Sequence, residues 1–309
     1  MLSRVAEHIY WLARYVERTE NVARLITVNS HLQLDLPRTV RPGWEPLIAI
    51  AGATETFYEL HNAPTGQHVI DFLIADVRNP GSIVSSVRAA RENARTIRDV
   101  IPRDAWEQIN EYYRAINDGV QQGLSAWGRY DYLKRVILGA QTLTGLLSGT
   151  MNHDVGYAFL RLGRNLERAD MTTRIIDVRT ANLLPNPSGL RPFESIQWMS
   201  VLKSLTGYQM YRREMQAPVL PAIVLRFLLK SRQFPRAFLH CMGEMENALH
   251  ELPNPEGCLE TITRIQNEVL ETDPSSFEPE QLHQYIDDLQ LGLADMHNAI
   301  GGQYFYWEQ

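Results

Sequence analysis

Apolar residues recur along the opening of this chain at helical intervals: Val5, Ile9, Leu12, Val16 and Ala23 follow one another every three, four or seven positions. No sustained period-two alternation of β-branched residues occurs in the sequence, so helices rather than strands are expected throughout. On a helix turning about 100° per residue, Val5, Leu12, Val16 and Ala23 fall on one side. Glu7, Tyr10, Arg14, Glu17, Arg18 and Asn21 fall on the other. A second helix repeats the division, with Phe159, Leu162 and Leu166 against Tyr157, Arg164, Glu167 and Arg168. The pattern Arg-x-x-Glu-Arg is therefore presented twice.

The recurrence extends along the chain. A shift of 150 residues lays Trp11-Leu-Ala-Arg-Tyr-Val-Glu-Arg18 on Arg161-Leu-Gly-Arg-Asn-Leu-Glu-Arg168, and Arg24 on Arg174. Pro37 answers Pro187, Arg41-Pro42 answers Arg191-Pro192, and Trp44 answers Trp198 after a four-residue insertion. Further on, Phe72-Leu73 and Pro80 fall on Phe227-Leu228 and Pro235, while Tyr132, Gly139 and Gly149 fall on Tyr285, Gly292 and Gly302. The expected fold is all-α, a helical bundle built from two tandem pseudo-twofold-related repeats, residues 1–152 and 153–309, with about six helices each.

Breakers divide the copies alike. Leu36 to Pro46 and Leu183 to Pro192 end the long first helices, Pro80-Gly81 ends a short one, and Pro102 with Asp104 and Glu107 resembles a capped helix start. Gly139, Gly145 and Gly149 share one helix face, as do Gly292, Ala299 and Gly302. Small residues let helices approach closely, either between the two copies along a pseudo-twofold axis or in ordinary core packing.

Composition narrows the function classes. Hydrophobic residues make up 44% and charged ones 21% of 309 residues, which is globular usage. Cys241 and Cys258 alone make no disulfide framework, and Arg4, Glu7 and His8 interrupt any signal-like stretch at the N-terminus, so a cytoplasmic protein is expected. The most apolar windows, Val136 to Met151 and Val219 to Leu229, fall short of the ~20 residues a membrane span needs. Of the 30 basic residues only Lys134, Lys203 and Lys230 are lysines, and planar arginines suit carboxylate and phosphate partners. From Ala237 to Gln309 there are 14 acidic residues and one basic one, Arg264, a balance that repels nucleic acid.

Three readings of the repeated Glu-Arg face stand side by side. It is a solvated polar surface, or Glu17 and Glu167 pair with arginines of the opposite copy as buried structural clamps at the interface, or the arginines bind an anionic small molecule or peptide group while a glutamate orients or deprotonates it. Neighbouring arginines lower a carboxylate's pKa, which favours binding over proton transfer. Glu280-Gln-Leu-His283 has the Glu-x-x-His spacing of di-iron helices, but the counterpart positions, Trp127 and Tyr130, supply no second pair, so no metal is expected. No phosphate-binding or dinucleotide glycine loop and no Gly-x-Ser-x-Gly elbow is present, and no cofactor is expected. His153-Asp154 reads as a loop or cap.

The opening Met1-Leu-Ser-Arg-Val-Ala-Glu-His-Ile-Tyr-Trp-Leu-Ala-Arg-Tyr-Val-Glu-Arg-Thr-Glu-Asn21 closely resembles the alpha-E family, bacterial helical proteins named for a Glu-Arg motif. His153-Asp-Val-Gly156 and Leu162-Gly-Arg-Asn-Leu-Glu-Arg168 resemble that family's second landmark. The matching positions are Arg14, Glu17, Arg18 and Asn21, then Arg164, Glu167 and Arg168; Met171 stands where Asn21 would recur, which sets the two sites apart. Such proteins are encoded beside, or fused to, circularly permuted ATP-grasp proteins, often near transglutaminase-like peptidases. The resemblance thus implies an accessory or substrate-binding partner of an ATP-grasp amide ligase, with Arg14, Arg18, Asn21, Arg164 and Arg168 binding an anion and Glu17 and Glu167 as candidate catalytic groups. The alternatives are a transferase or hydrolase acting on a peptide product, and a homo-oligomeric scaffold without ligand.

Overall fold

The computed structural model describes residues 1–36, 43–183, 191–274 and 277–305, without the side chains of 179–183, 191–193 and 279. The chain is all-helical, with no strand among the described residues. The second-linker correspondences, including Pro187, and Pro37, Arg41 and Pro42 in the first, lie outside what is described of backbone or side chain. Two compact units are present, one of Met1–Asp35 and Pro42–Arg164, the other of Leu36–Arg41 and Asn165–Gln309.

The first unit is organised around α1 (Ser3–Asp35), which packs on α4 (Gly66–Ile74), α5 (Ile83–Thr96) and α8 (Arg129–Thr150). Between them lie α2 (Glu45–Ile50), α3 (Thr54–Leu60), α6 (Arg103–Asp118) and α7 (Val120–Leu124). Hydroxyl caps start two of these helices: Thr65 Oγ1 accepts from the His68 N–H at 3.3 Å, and Ser82 Oγ from the Ser85 N–H at 3.2 Å. The capping box anticipated at Pro102 does not form, because proline has no side-chain acceptor; Glu107 instead takes the Arg103 Nε at 2.7 Å. Among the described residues eight helices precede residue 151 where about six were expected, since α2, α3 and α7 are too short to declare a 3.6-residue period.

The second unit takes the C-terminal part of α9 (Val155–Leu183) and continues through α10 (Arg191–Ser204), α11 (Tyr208–Met215), α12 (Pro221–Lys230) and α13 (Phe238–Leu249). It closes with α14 (Glu256–Glu271), α15 (Pro279–Ile300) and a π-helical turn, Gly301–Phe305. α14 packs against α13 and α15, and α12 against α13.

Some internal details recur at a constant offset of 153 positions. α6 and α14 both have 16 residues, and Arg103 and Glu256 begin them 153 positions apart. Within the first unit, a Cβ on Gly139 of α8 would meet the Tyr112 ring of α6 at 2.3 Å; within the second, one on Gly292 of α15 would meet Ile265 of α14 at 3.1 Å. Ile265 and Gly292 lie 153 positions beyond Tyr112 and Gly139. Core packing inside a unit therefore accounts for these two glycines, whereas Gly145, Gly149 and Gly302 have nothing within 4 Å of an added Cβ.

Two tyrosines in the first core predict opposite responses to losing a hydroxyl. Tyr112 donates to the Val136 carbonyl at 2.9 Å, while the buried Tyr132 hydroxyl has no hydrogen-bond partner among the described residues; burial raises the pKa of both phenols. Tyr112→Phe is expected to cost about 1 kcal/mol, whereas Tyr132→Phe removes an unsatisfied polar atom and stabilises by up to about 1 kcal/mol. Urea unfolding of the two variants checks this, and equal losses would refute it.

Candidate functional site

Of the three readings of the Glu-Arg face, the fully solvated one does not hold for the two glutamates. Glu17 is 2% exposed and Glu167 1%, and Tyr10 and Asn21 are likewise buried. The helical wheel failed here because the polar side of α1 also meets protein: Glu17 lies beside Thr144 and Leu147 of α8 and Leu160 and Arg164 of α9, and Tyr10 against Gly163. On α1, His8 Nδ1 lies 2.7 Å from Asn93 Oδ1 of α5. Glu20 Oε1 accepts from Gln141 of α8 at 3.3 Å and pairs with Arg24 at 2.8 Å.

Arg14 and Arg18 are half-buried and lie against aromatic rings. The Arg14 guanidinium sits 4.9 Å from the Trp11 ring, its Nη1 donates to the Tyr10 hydroxyl at 3.5 Å, and Arg18 lies 5.5 Å from the Tyr15 ring. Trp11 and Tyr15 stack on each other at 5.5 Å. Cation–π contact of this kind holds a guanidinium in place without neutralising it. Sequence reasoning passed over Trp11 and Tyr15 as site residues, although their spacing of three and four positions from Arg14, Arg18 and each other was a readable signal.

Glu17 and Arg164 come together in the first unit. With Leu12, Ala13, Val16, Thr144, Leu147 and Leu160 they line a mainly apolar recess whose free interior is ≈ 10 Å³, about the room one water needs. Glu17 Oε1 and Arg164 Nε are sealed from solvent. The closeness of the walls has a backbone cause: a Cβ on Gly163 would lie 2.2 Å from the Tyr10 carbonyl oxygen, so α1 and the start of α9 touch main chain to main chain.

In the second unit Glu167, Asn165 and Arg236 are all buried, and Thr172 Oγ1 donates to the Arg236 carbonyl at 2.8 Å. Arg168 is half-buried, its Nε closed off from solvent. Met171, in place of a second Asn21, is buried as well. Across positions 11–28 and 161–178 buried and half-buried residues coincide except at 15/165 and 20/170. The ion pair of Arg24 with Glu20 recurs as Arg174 with Asp170 at 2.9 Å.

His153 and Asp154 serve the helix start, as their position suggested. Asp154 Oδ1 accepts from the Gly156 N–H at 2.8 Å, and His153 stacks on Tyr157 at 4.0 Å with Nε2 3.0 Å from the Ser148 carbonyl.

These features define a class of all-helical protein in which a buried glutamate, flanked by half-buried arginines, occurs on each of two long helices. The chain belongs to the Alpha-E family, whose model, described as a predicted alpha-helical domain with a conserved ER motif, matches residues 1–305. Uncharacterized proteins of Mycobacterium bovis and Mycobacterium tuberculosis are similar to it, each 25% identical over 316 residues that cover 96% of this chain and 35% of the relative. The chain thus spans about a third of the length of the curated relatives it matches. No solved structure matches it. No described helix is long and apolar enough to cross a membrane.

Proposed function

We propose that this chain is a binding module acting with an ATP-grasp amide ligase, in which arginines of the Glu-Arg helices engage a carboxylate, phosphate or peptide terminus. Glu17 and Glu167 hold those arginines in place. The observation that carries this reading is the recess at Glu17, whose ≈ 10 Å³ leaves no room for a substrate beside the carboxylate. A general base must come within hydrogen-bond reach of the proton it takes, so the transferase or hydrolase alternative requires this recess to open. The arginines, by contrast, are half-buried and keep part of their surface in solvent. The length of the mycobacterial relatives supports a module that works beside other domains.

The same reading takes the chain as an internal duplication with two Glu-Arg sites. The recurrent burial pattern, the repeated acid–Arg pair and the matching Gly139–Tyr112 and Gly292–Ile265 contacts support it.

Reconstitution tests the partnership. An ATP-grasp protein of the circularly permuted type is assayed for ADP release and amide formation with and without this chain. Acceleration by the chain is the expected result; a ligase that neither binds it nor responds to it refutes the reading.

A further inference from the structure

A second cluster of chemically able side chains lies in the second unit, away from the Glu-Arg residues. His283 of α15 stands between two carboxylates: its Nδ1 is 2.5 Å from Asp177 Oδ1 of α9, and its Nε2 is 3.6 Å from Asp287 Oδ2 one helical turn further along α15. One donor atom from each of the three residues lies within 4.8 Å of the others. We propose that Asp177, His283 and Asp287 form a binding site for a divalent transition metal of the Zn²⁺ class.

The donor set selects the class of ion. Imidazole nitrogen suits zinc and its neighbours in the first transition row, whereas Mg²⁺ and Ca²⁺ take oxygen ligands. One nitrogen and two carboxylate oxygens make three protein ligands and leave a coordination position open to water or a substrate carboxylate, the arrangement of an open zinc site. His283 and Asp287, four residues apart, project from the same face of one helix. That pair is bidentate from a single element, and Asp177 completes it from another helix.

Mobility and charge favour the ion as well. Asp177 is the anchored ligand, its side chain 15% exposed, while those of His283 and Asp287 are 56% and 45% exposed. Metal–ligand bonds of about 2.0–2.2 Å draw the donors closer than they stand here, and rotation of the two exposed side chains supplies that adjustment. Between Ala237 and Gln309 the one basic residue is Arg264, and it pairs with Asp295 at 2.8 Å.

The test is calorimetric titration of the full chain, stripped with a chelator and dialysed, with ZnCl₂ and separately with MgCl₂. One equivalent of Zn²⁺ and no measurable Mg²⁺ binding is expected. His283→Ala and Asp287→Asn, both at exposed positions that leave the fold intact by circular dichroism, should each weaken Zn²⁺ binding by more than about tenfold. Co²⁺ titrated in place of Zn²⁺ should develop visible absorption in the parent chain and not in His283→Ala. Absence of Zn²⁺ binding, or binding unchanged in both variants, overturns the proposal and leaves His283 as an ion-pair link between α9 and α15.

Discussion

Changing Glu17 and Glu167 together to Gln is expected to leave the chain folded and to remove the stimulation of an ATP-grasp ligase proposed for it. Gln keeps the shape and one acceptor oxygen of Glu while deleting the charge that holds a guanidinium. Both glutamates are buried, at 2% and 1% exposure, so the loss is felt at the arginines rather than dissipated into water. Because Arg14, Arg18, Arg164 and Arg168 are only half-buried, water compensates part of the missing charge. The expected stability loss is about 1–3 kcal/mol, below the penalty for stranding a fully buried ion. Ligase stimulation should fall at least about tenfold, the consequence of losing about 1.4 kcal/mol of substrate or partner interaction. Thermal melts and ADP-release assays on the single and double variants check both halves. A double variant that is unfolded at the assay temperature would instead support the structural-clamp role. Unequal effects of the two single changes would mark the sites as different, in keeping with Asn21 in one and Met171 in the other.

Gly163→Ala lowers the melting temperature by about 5–10 °C, although alanine is the better helix former. A helix interior gains about 1 kcal/mol from that exchange when the surroundings are open. At Gly163 the new Cβ would lie 2.2 Å from the Tyr10 carbonyl oxygen and 3.0 Å from its carbonyl carbon, both main-chain atoms that cannot rotate away. The start of α9 must retreat from α1, and the buried contacts around Tyr10, Leu12 and Leu160 loosen with it. Gly145→Ala on α8 is the matched control, with nothing within 4 Å of its Cβ, and it should raise the melting temperature slightly. If the two substitutions behave alike, close packing of α1 on α9 is not what limits position 163.

Much of this organisation is local and therefore written in the chain. Helix type follows from apolar spacing over a few turns. The twin Arg-x-x-Glu-Arg segments are visible because the residues that form them are neighbours on one helix face. The aromatic support of Arg14 and Arg18 was equally local, and it was missed because a stripe of rings at helical spacing looks like core. Short helices such as α2 and α7 gave no such signal, since five or six residues do not complete two turns.

Burial of the glutamates was another matter. A wheel sorts residues by direction and says nothing of how many neighbours surround a helix, so Glu17 and Tyr10 looked solvated until α8 and the start of α9 packed beside them. The Asp177–His283 contact joins residues 106 positions apart, and no periodicity links them. Sequence determined where the long helices form and which chemistry each face carries, because those depend on i, i+3 and i+4 relations. Which faces lose water and which distant side chains meet was settled by packing, because desolvation is a property of everything a side chain touches and not of its place in the chain.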